Sequence, residues 1–408
     1  MRIARILLIC STLLLSLALH AQTFEQLSFL RINETPMSVR SQSMGAVSDE
    51  DFALNPAVAG GLGSPSFSIA GSRLSYDLTD FTMIWPTFFL SRPVTVEKTD
   101  LSHISVAVPV RSFVVGAWYR NEPQLSGLRS LPIEGFGPWE ESQCLSEHCI
   151  PFLFAVMSPS FERTDKRYGA SIAWERGAFS FGAGAELQQL DERMSLMRTR
   201  FAIQPALADR IERRTSGTEI VPNLGIRWKA TPRVTLAAAY NGAATFKTTN
   251  DACYSAGEGC GSAFARIGES EIRMPDAFRA SLAVKPLHNV QLVAEVVRRN
   301  YGNIQARDTT LTGDDNQIGL PYEDVVELHA GAEYKIRRVA LRAGWWRDPA
   351  RTTETFYRDY YLGQDHEHVT FGAGVDFGSG RLDIAFDDPD DDVLRRASIG
   401  VTFAVPSR

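Results

Sequence analysis

From Val326 to Ile336 the chain alternates: Val326, Leu328, Ala330, Ala332, Tyr334 and Ile336 fall on one side, and Glu327, His329, Glu333 and Lys335 on the other. A period of two defines a strand with one apolar and one polar face, and helices do not produce it. The next segment repeats the pattern, with Val339, Leu341, Ala343 and Trp345 against Arg342 and Gly344. A third sets Val369, Phe371, Ala373, Val375 and Phe377 against Gly372, Gly374 and Asp376. The same reading along the chain predicts strands near 66–76, 101–110, 112–120, 166–175, 178–192, 218–230 and 232–247. Seven more follow near 271–285, 289–303, 323–337, 339–349, 366–377, 381–388 and 394–405. Fourteen strands are an even number, as a single-chain membrane barrel requires. Phe81 to Leu90 reads either as a further strand or as part of the first outer loop, and Pro86 in its middle favours the loop.

The connections carry as much information as the strands. Short ones lie near Arg111, Gly177, Thr231, Leu287, Arg338 and Gly380, and they alternate with long ones at about 121–165, 193–217, 248–270, 304–322 and 350–365. A soluble sandwich has no reason to gather its long loops at one end. A transmembrane barrel does, with short periplasmic turns and long outer loops. The predicted fold is therefore all-β, a transmembrane antiparallel β-barrel of about 14 strands spanning residues 65–408. Tyr76, Trp118, Trp174, Trp228, Tyr240, Tyr301 and Trp345 sit toward strand ends, where interfacial girdles belong, although aromatics favour strands generally.

Composition changes this picture little: 44% hydrophobic residues suit a membrane barrel as well as a soluble protein, because only alternate residues meet lipid. Arg2 and Arg5, the apolar run Ile6 to Leu19 and Ala21 read as a secretory signal peptide over residues 1–21, and Cys10 lacks the small preceding residue of a lipoprotein signal. After it no stretch approaches the roughly 20 apolar residues of a spanning helix. The net charge of −6 and the lack of a long basic run leave no footing for nucleic acid. Cys144 with Cys149 and Cys253 with Cys260 are close pairs in outer loops, expected to form two local disulfides; a metal site of Cys144, His148 and Cys149 is the alternative.

His366 and His368 share one face of a strand, with no third ligand identifiable, and no metal or cofactor is expected. The acidic run Asp387, Asp388, Asp390, Asp391 and Asp392 reads as a solvated outer turn or a holder of divalent cations. No nucleophile elbow, zinc-protease helix or phosphate loop occurs, so no catalytic residue is assigned and no enzyme activity is expected; His103, His288 and His329 could serve a rim hydrolase only as any histidine could. The outer segment Asp191 to Gly217 places Met194, Met197, Phe201, Ile203 and Leu207 partly at helical spacing among arginines that include Arg200. It reads as an apolar groove with a basic rim for a ligand, or as a loop helix packed on the barrel.

Residues 22–64 alternate poorly yet are too apolar for a disordered arm, and in so wide a barrel their place is the lumen, as a hatch or plug. Within them Ser43-Met44-Gly45-Ala46-Val47-Ser48-Asp49-Glu50-Asp51-Phe52-Ala53-Leu54-Asn55-Pro56-Ala57 resembles the N-terminal hatch motif of the FadL/TodX family of outer-membrane transporters. Met274-Pro275-Asp276-Ala277-Phe278 and Leu341-Arg342-Ala343-Gly344-Trp345 are similar too. The second glycine of the family motif is replaced by Ala46, and several residues before the acidic pair are missing. The resemblance implies a 14-stranded barrel with Met44, Gly45, Asp49, Phe52, Asn55, Pro56 and Ala57 in the hatch. It also implies passive uptake of long-chain fatty acids or aromatic hydrocarbons, captured on outer loops and released sideways through the wall. Asn55 before Pro56 forms a tight turn, structural or gating. The implied partners are outer-membrane lipid, an apolar ligand and, through the terminal strand Ala397 to Val405, the barrel-assembly machinery. The alternative is a FadL-like barrel that binds a protein partner in export.

Overall fold

The computed structural model of the 408-residue chain describes residues 39–44, 51–85, 88–123, 127–128, 154–201, 207–256, 265–303, 305–308, 316–319, 322–351, 365–389 and 395–405. The alternating segments form one closed antiparallel sheet of 14 strands. They are β1 (Ser66–Trp85), β2 (Phe88–Val110), β3 (Phe113–Pro123), β4 (Phe154–Arg176), β5 (Phe179–Phe201) and β6 (Leu207–Thr231). β7 runs over Val234–Asn241 and Thr245–Ala256, β8 over Ala265–Arg273 and Ala277–Leu287, β9 over Val290–Arg299 and Gln305–Asp308, and β10 over Asn316–Gly319 and Val325–Ile336. β11 (Val339–Asp348), β12 (His366–Phe377), β13 (Gly380–Pro389) and β14 (Arg395–Ala404) complete the circuit. β14 pairs back onto β1 from Ser66↔Ala404 to Ser75↔Arg395, so no unpaired edge remains.

The apolar face points outward. On β10, Val326 and Leu328 are 51% and 42% exposed, whereas Glu327 and Glu333 between and beyond them are 3% and 2% exposed. A soluble protein has this the other way round, and only a hydrocarbon solvent makes it favourable. Near the short turns the outer surface carries an aromatic row, in which Trp174, Phe181, Phe179 and Trp228 stack in succession. Two of the aromatics expected in girdles are buried instead: Trp118, on the inward register of β3, donates to Glu186, and Tyr301, in the 3₁₀ turn that interrupts β9, lies under the Arg351 guanidinium.

Four of the short turns are two-residue links whose first residue takes a positive φ: Arg111 at 59°, Gly177 at 62°, Arg337 at 55° and Gly378 at 57°. The first hairpin extends far outward, with Met83 opposite Phe89, so residues 81–85 and 88–90 are the ends of β1 and β2 rather than a separate strand or a loop. The segment 193–217 also departs from the helical expectation. It is the outer end of a hairpin, with Met194 opposite Arg213 and Arg200 opposite Leu207.

Four neighbouring strands are interrupted just beyond one row of residues. Asn241 pairs with Ala277, Ala277 with Arg299, and Arg299 with Val325, and outward of that row β7 to β10 all leave the ladder before resuming. Met274-Pro275-Asp276 supplies one break, as proline cannot donate to the ladder. Isolated bonds such as Met274 N–H to the Ala244 carbonyl and Asn300 N–H to the Asp276 carbonyl bridge the gap.

Candidate functional site

A barrel of this width leaves a lumen, and two pieces of the N-terminal segment sit against its inner wall. The first is α1 (Val39–Met44), too short to be stable alone. Arg40 donates from Nε and Nη2 to the two carboxylate oxygens of Glu333 at 2.9 and 3.0 Å, and Glu333 also accepts from Arg342 Nε at 2.8 Å. Met44 lies over Gly331 and Gly344, cross-strand partners at which a Cβ would collide with its carbonyl.

The second piece is the turn from Asp51 into the 3₁₀ helix η1 (Pro56–Gly61). Asn55 caps it: its Oδ1 accepts from Ala57 N–H at 3.1 Å while Pro56 occupies the first helical position. Irregular backbone inside a membrane barrel needs partners for its carbonyls. The wall provides them. Asn223 Nδ2 donates to the Ala53 carbonyl at 3.2 Å, Asn241 Nδ2 to that of Leu54 at 3.5 Å and Arg227 Nη1 to that of Val58 at 3.2 Å. Phe52 packs edge-on against Trp118 at 5.8 Å and joins Ala53, Val58, Ala59, Ala107, Val114 and Ala173 in an apolar cluster. Gly116, Gly182 and Gly225 face Phe52, Pro56 with Ala57, and Asn55, leaving room that any side chain would fill.

The rest of the inner wall is mostly charged and internally neutralised. Glu186 accepts from Trp118, Arg120 and Arg167, and Arg167 also holds Asp165. Arg299 holds Glu327 at 2.6 Å, and Arg351 holds Asp348 at 2.7 Å while lying over the Tyr301 ring. His329 and His368 stack on opposite sides of Trp346, and His368 Nδ1 is 2.9 Å from Asp387. His366 and His368 do share the inward face, yet among the described residues no three His, Cys, Asp or Glu side chains are grouped to hold a metal. A further apolar cluster, to which the N-terminal pieces contribute no residue, is formed by Leu190, Val221, Ala244, Phe246 and Met274 on β5 to β8 at the row of interruptions. Sequence reasoning missed it. Its signal was Leu190 and Val221, apolar residues at inward positions flanked by polar neighbours on the same face.

Of the expected hatch residues, Met44, Phe52, Asn55, Pro56 and Ala57 are brought together with the wall, while Gly45 and Asp49 lie outside the described residues. Of the outer groove residues, Met194, Met197, Arg200, Phe201 and Leu207 are in the β5–β6 hairpin, and Ile203 lies outside the described residues. Cys253, in β7, is opposite Glu212 of β6; Cys144, Cys149 and Cys260, the signal segment and Asp390 to Asp392 lie outside the described residues.

Fold and lumen together define a transmembrane β-barrel with residues 39–44 and 51–61 seated against its inner wall. Among solved structures the chain is similar to a Pseudomonas aeruginosa FadL homologue, at 15% identity and TM-score 0.62, covering 89% of this chain and 95% of that one. It is also similar to the Pseudomonas putida toluene transporter TodX, at 17% identity and TM-score 0.58 over 92% and 97% of the two chains. The Ralstonia pickettii toluene transporter TbuX matches at 16% identity and TM-score 0.55 over 90% and 97%. The chain thus has the FadL/TodX fold. No family model and no curated protein matches its sequence.

Proposed function

We propose that this chain is an outer-membrane channel for passive uptake of hydrophobic molecules. The observation that carries the reading is an apolar cluster on the inner wall, separate from the Phe52 cluster and directly outward of the segment seated there, in a fold shared with toluene transporters. An apolar solute gains about 25 cal/mol for each Å² it withdraws from water, so a cluster of this kind binds by area rather than by polar match. Passage inward then requires the Asp51–Gly61 segment to shift, since its carbonyls are bonded across the lumen wall. Hydrolysis of bound nucleotide is not needed for a downhill path.

The test is uptake of radiolabelled toluene and of a long-chain fatty acid by a deletion strain carrying the wild-type or Phe246→Asp protein. Wild type restores uptake and the variant does not, with equal barrel in the membrane fraction. Uptake unchanged by the deletion removes the reading.

A further inference from the structure

Between α1 and η1 the inner wall leaves a half-open cavity of about 290 Å³ close to the short turns. Arg40, Arg227, Lys285, Gln291, Glu333 and Lys335 line it, with Val58 and Leu62 along one edge. Four cations line it with one carboxylate, which is shared by Arg40, Arg342 and, at 3.6 Å, Lys335; a second carboxylate, Glu175, pairs Arg227 at its edge, so the cations remain in excess. Arg227 gives Nη1 to the Val58 carbonyl and Nη2 to Glu175, which it shares with Lys229. Its Nε has no hydrogen-bond partner, and neither has Gln291 Nε2, although both side chains are more than nine-tenths buried. Buried donors are costly to leave unmade. Water would satisfy the donors but not the surplus charge; an anion satisfies both. The same end of the barrel carries exposed Arg111, Arg176, Arg233, Arg337 and Arg338 on its turns, whose field draws anions toward it.

We infer that this cavity is an oxyanion site, which takes a carboxylate or phosphate group on the Gln291 amide and the Arg227 guanidinium, with Lys285 and Lys335 supplying the field. The anion is either the head of a single-tailed amphiphile whose tail lies in the lumen or a free periplasmic ion. For the tail alone the inference rests on the transport reading. It adds a discrimination that reading lacks: a neutral hydrocarbon gains nothing here, whereas a charged head does.

Calorimetry on the full-length protein in non-ionic detergent tests it, with octanoate, 1-octanol and inorganic phosphate as separate probes. The variants are Gln291→Leu and the exposed pair Lys285→Gln with Lys335→Gln, whose barrels are checked by heat-modifiable migration. Octanoate is expected to bind about tenfold more weakly to either variant, while 1-octanol does not distinguish them from wild type. Phosphate binding that weakens in the same variants without octanoate binding supports the site and assigns it to a free anion. Equal binding of octanoate and 1-octanol, unchanged in both variants, overturns the proposal, as does failure of both anions to bind. A barrel that binds phosphate through these residues yet takes up no apolar solute keeps the site and loses the transport reading.

Discussion

At Gly344 the wall has no side chain because the Met44 carbonyl stands where one would be. Valine there has to push α1 away from the wall, while the strand itself, paired on both sides, tolerates it. The expected outcome for Gly344→Val is an intact barrel with a higher single-channel conductance in planar bilayers; an unchanged conductance means α1 does not restrict the lumen. Asn55 acts on a smaller scale. Losing its bond to Ala57 N–H costs about 1 kcal/mol, so Asn55→Ala is expected to speed hydrogen exchange of the Ala57 amide about fivefold with little change elsewhere. Glu333 is the stronger anchor: Glu333→Gln leaves the Arg40 and Arg342 guanidinium groups without their shared anion. Removing one partner of such a buried pair costs about 3–5 kcal/mol, and the expected readout is faster proteolysis of the N-terminal segment in the folded barrel.

At the scale of elements, legibility follows from what each face meets. β10 to β13 were readable because one face meets lipid and the other the lumen, so alternation is strict. The outer halves of β5 and β6 were not, since beyond the membrane neither face has to be apolar; Met194 and Met197 then imitate a helical spacing by chance. α1 is six residues long, shorter than two turns, and no periodicity can announce it. Asn55-Pro56 was legible as a local turn, because its bonds span two residues. The Arg40–Glu333 pair was not, its partners being 293 positions apart. A prediction belongs here as well. Because 193–201 and 207–217 form a ladder, proline at Thr199, which pairs with Ala208, is expected to loosen that hairpin and expose it to external protease, leaving the barrel's heat-modifiability unchanged.

For the whole molecule the inverted pattern is decisive: apolar side chains outward, ions inward and a sheet without an edge. A charge on the outer face near mid-band, as in Val296→Arg at a site 45% exposed, is expected to destabilise the barrel by about 2–4 kcal/mol in lipid. Reversible urea unfolding from vesicles measures it, and a change below about 0.5 kcal/mol would mean that this face does not meet hydrocarbon. The glycines of the inner wall have a separate bearing on ancestry. Gly116, Gly182, Gly225, Gly331 and Gly344 are each shaped by a residue of the N-terminal segment, so neither partner can drift without the other. Homologues that have lost Phe52, Asn55 or Met44 should therefore have refilled the matching notch with a larger residue, and the two halves of each pair should change on the same branches of a family tree.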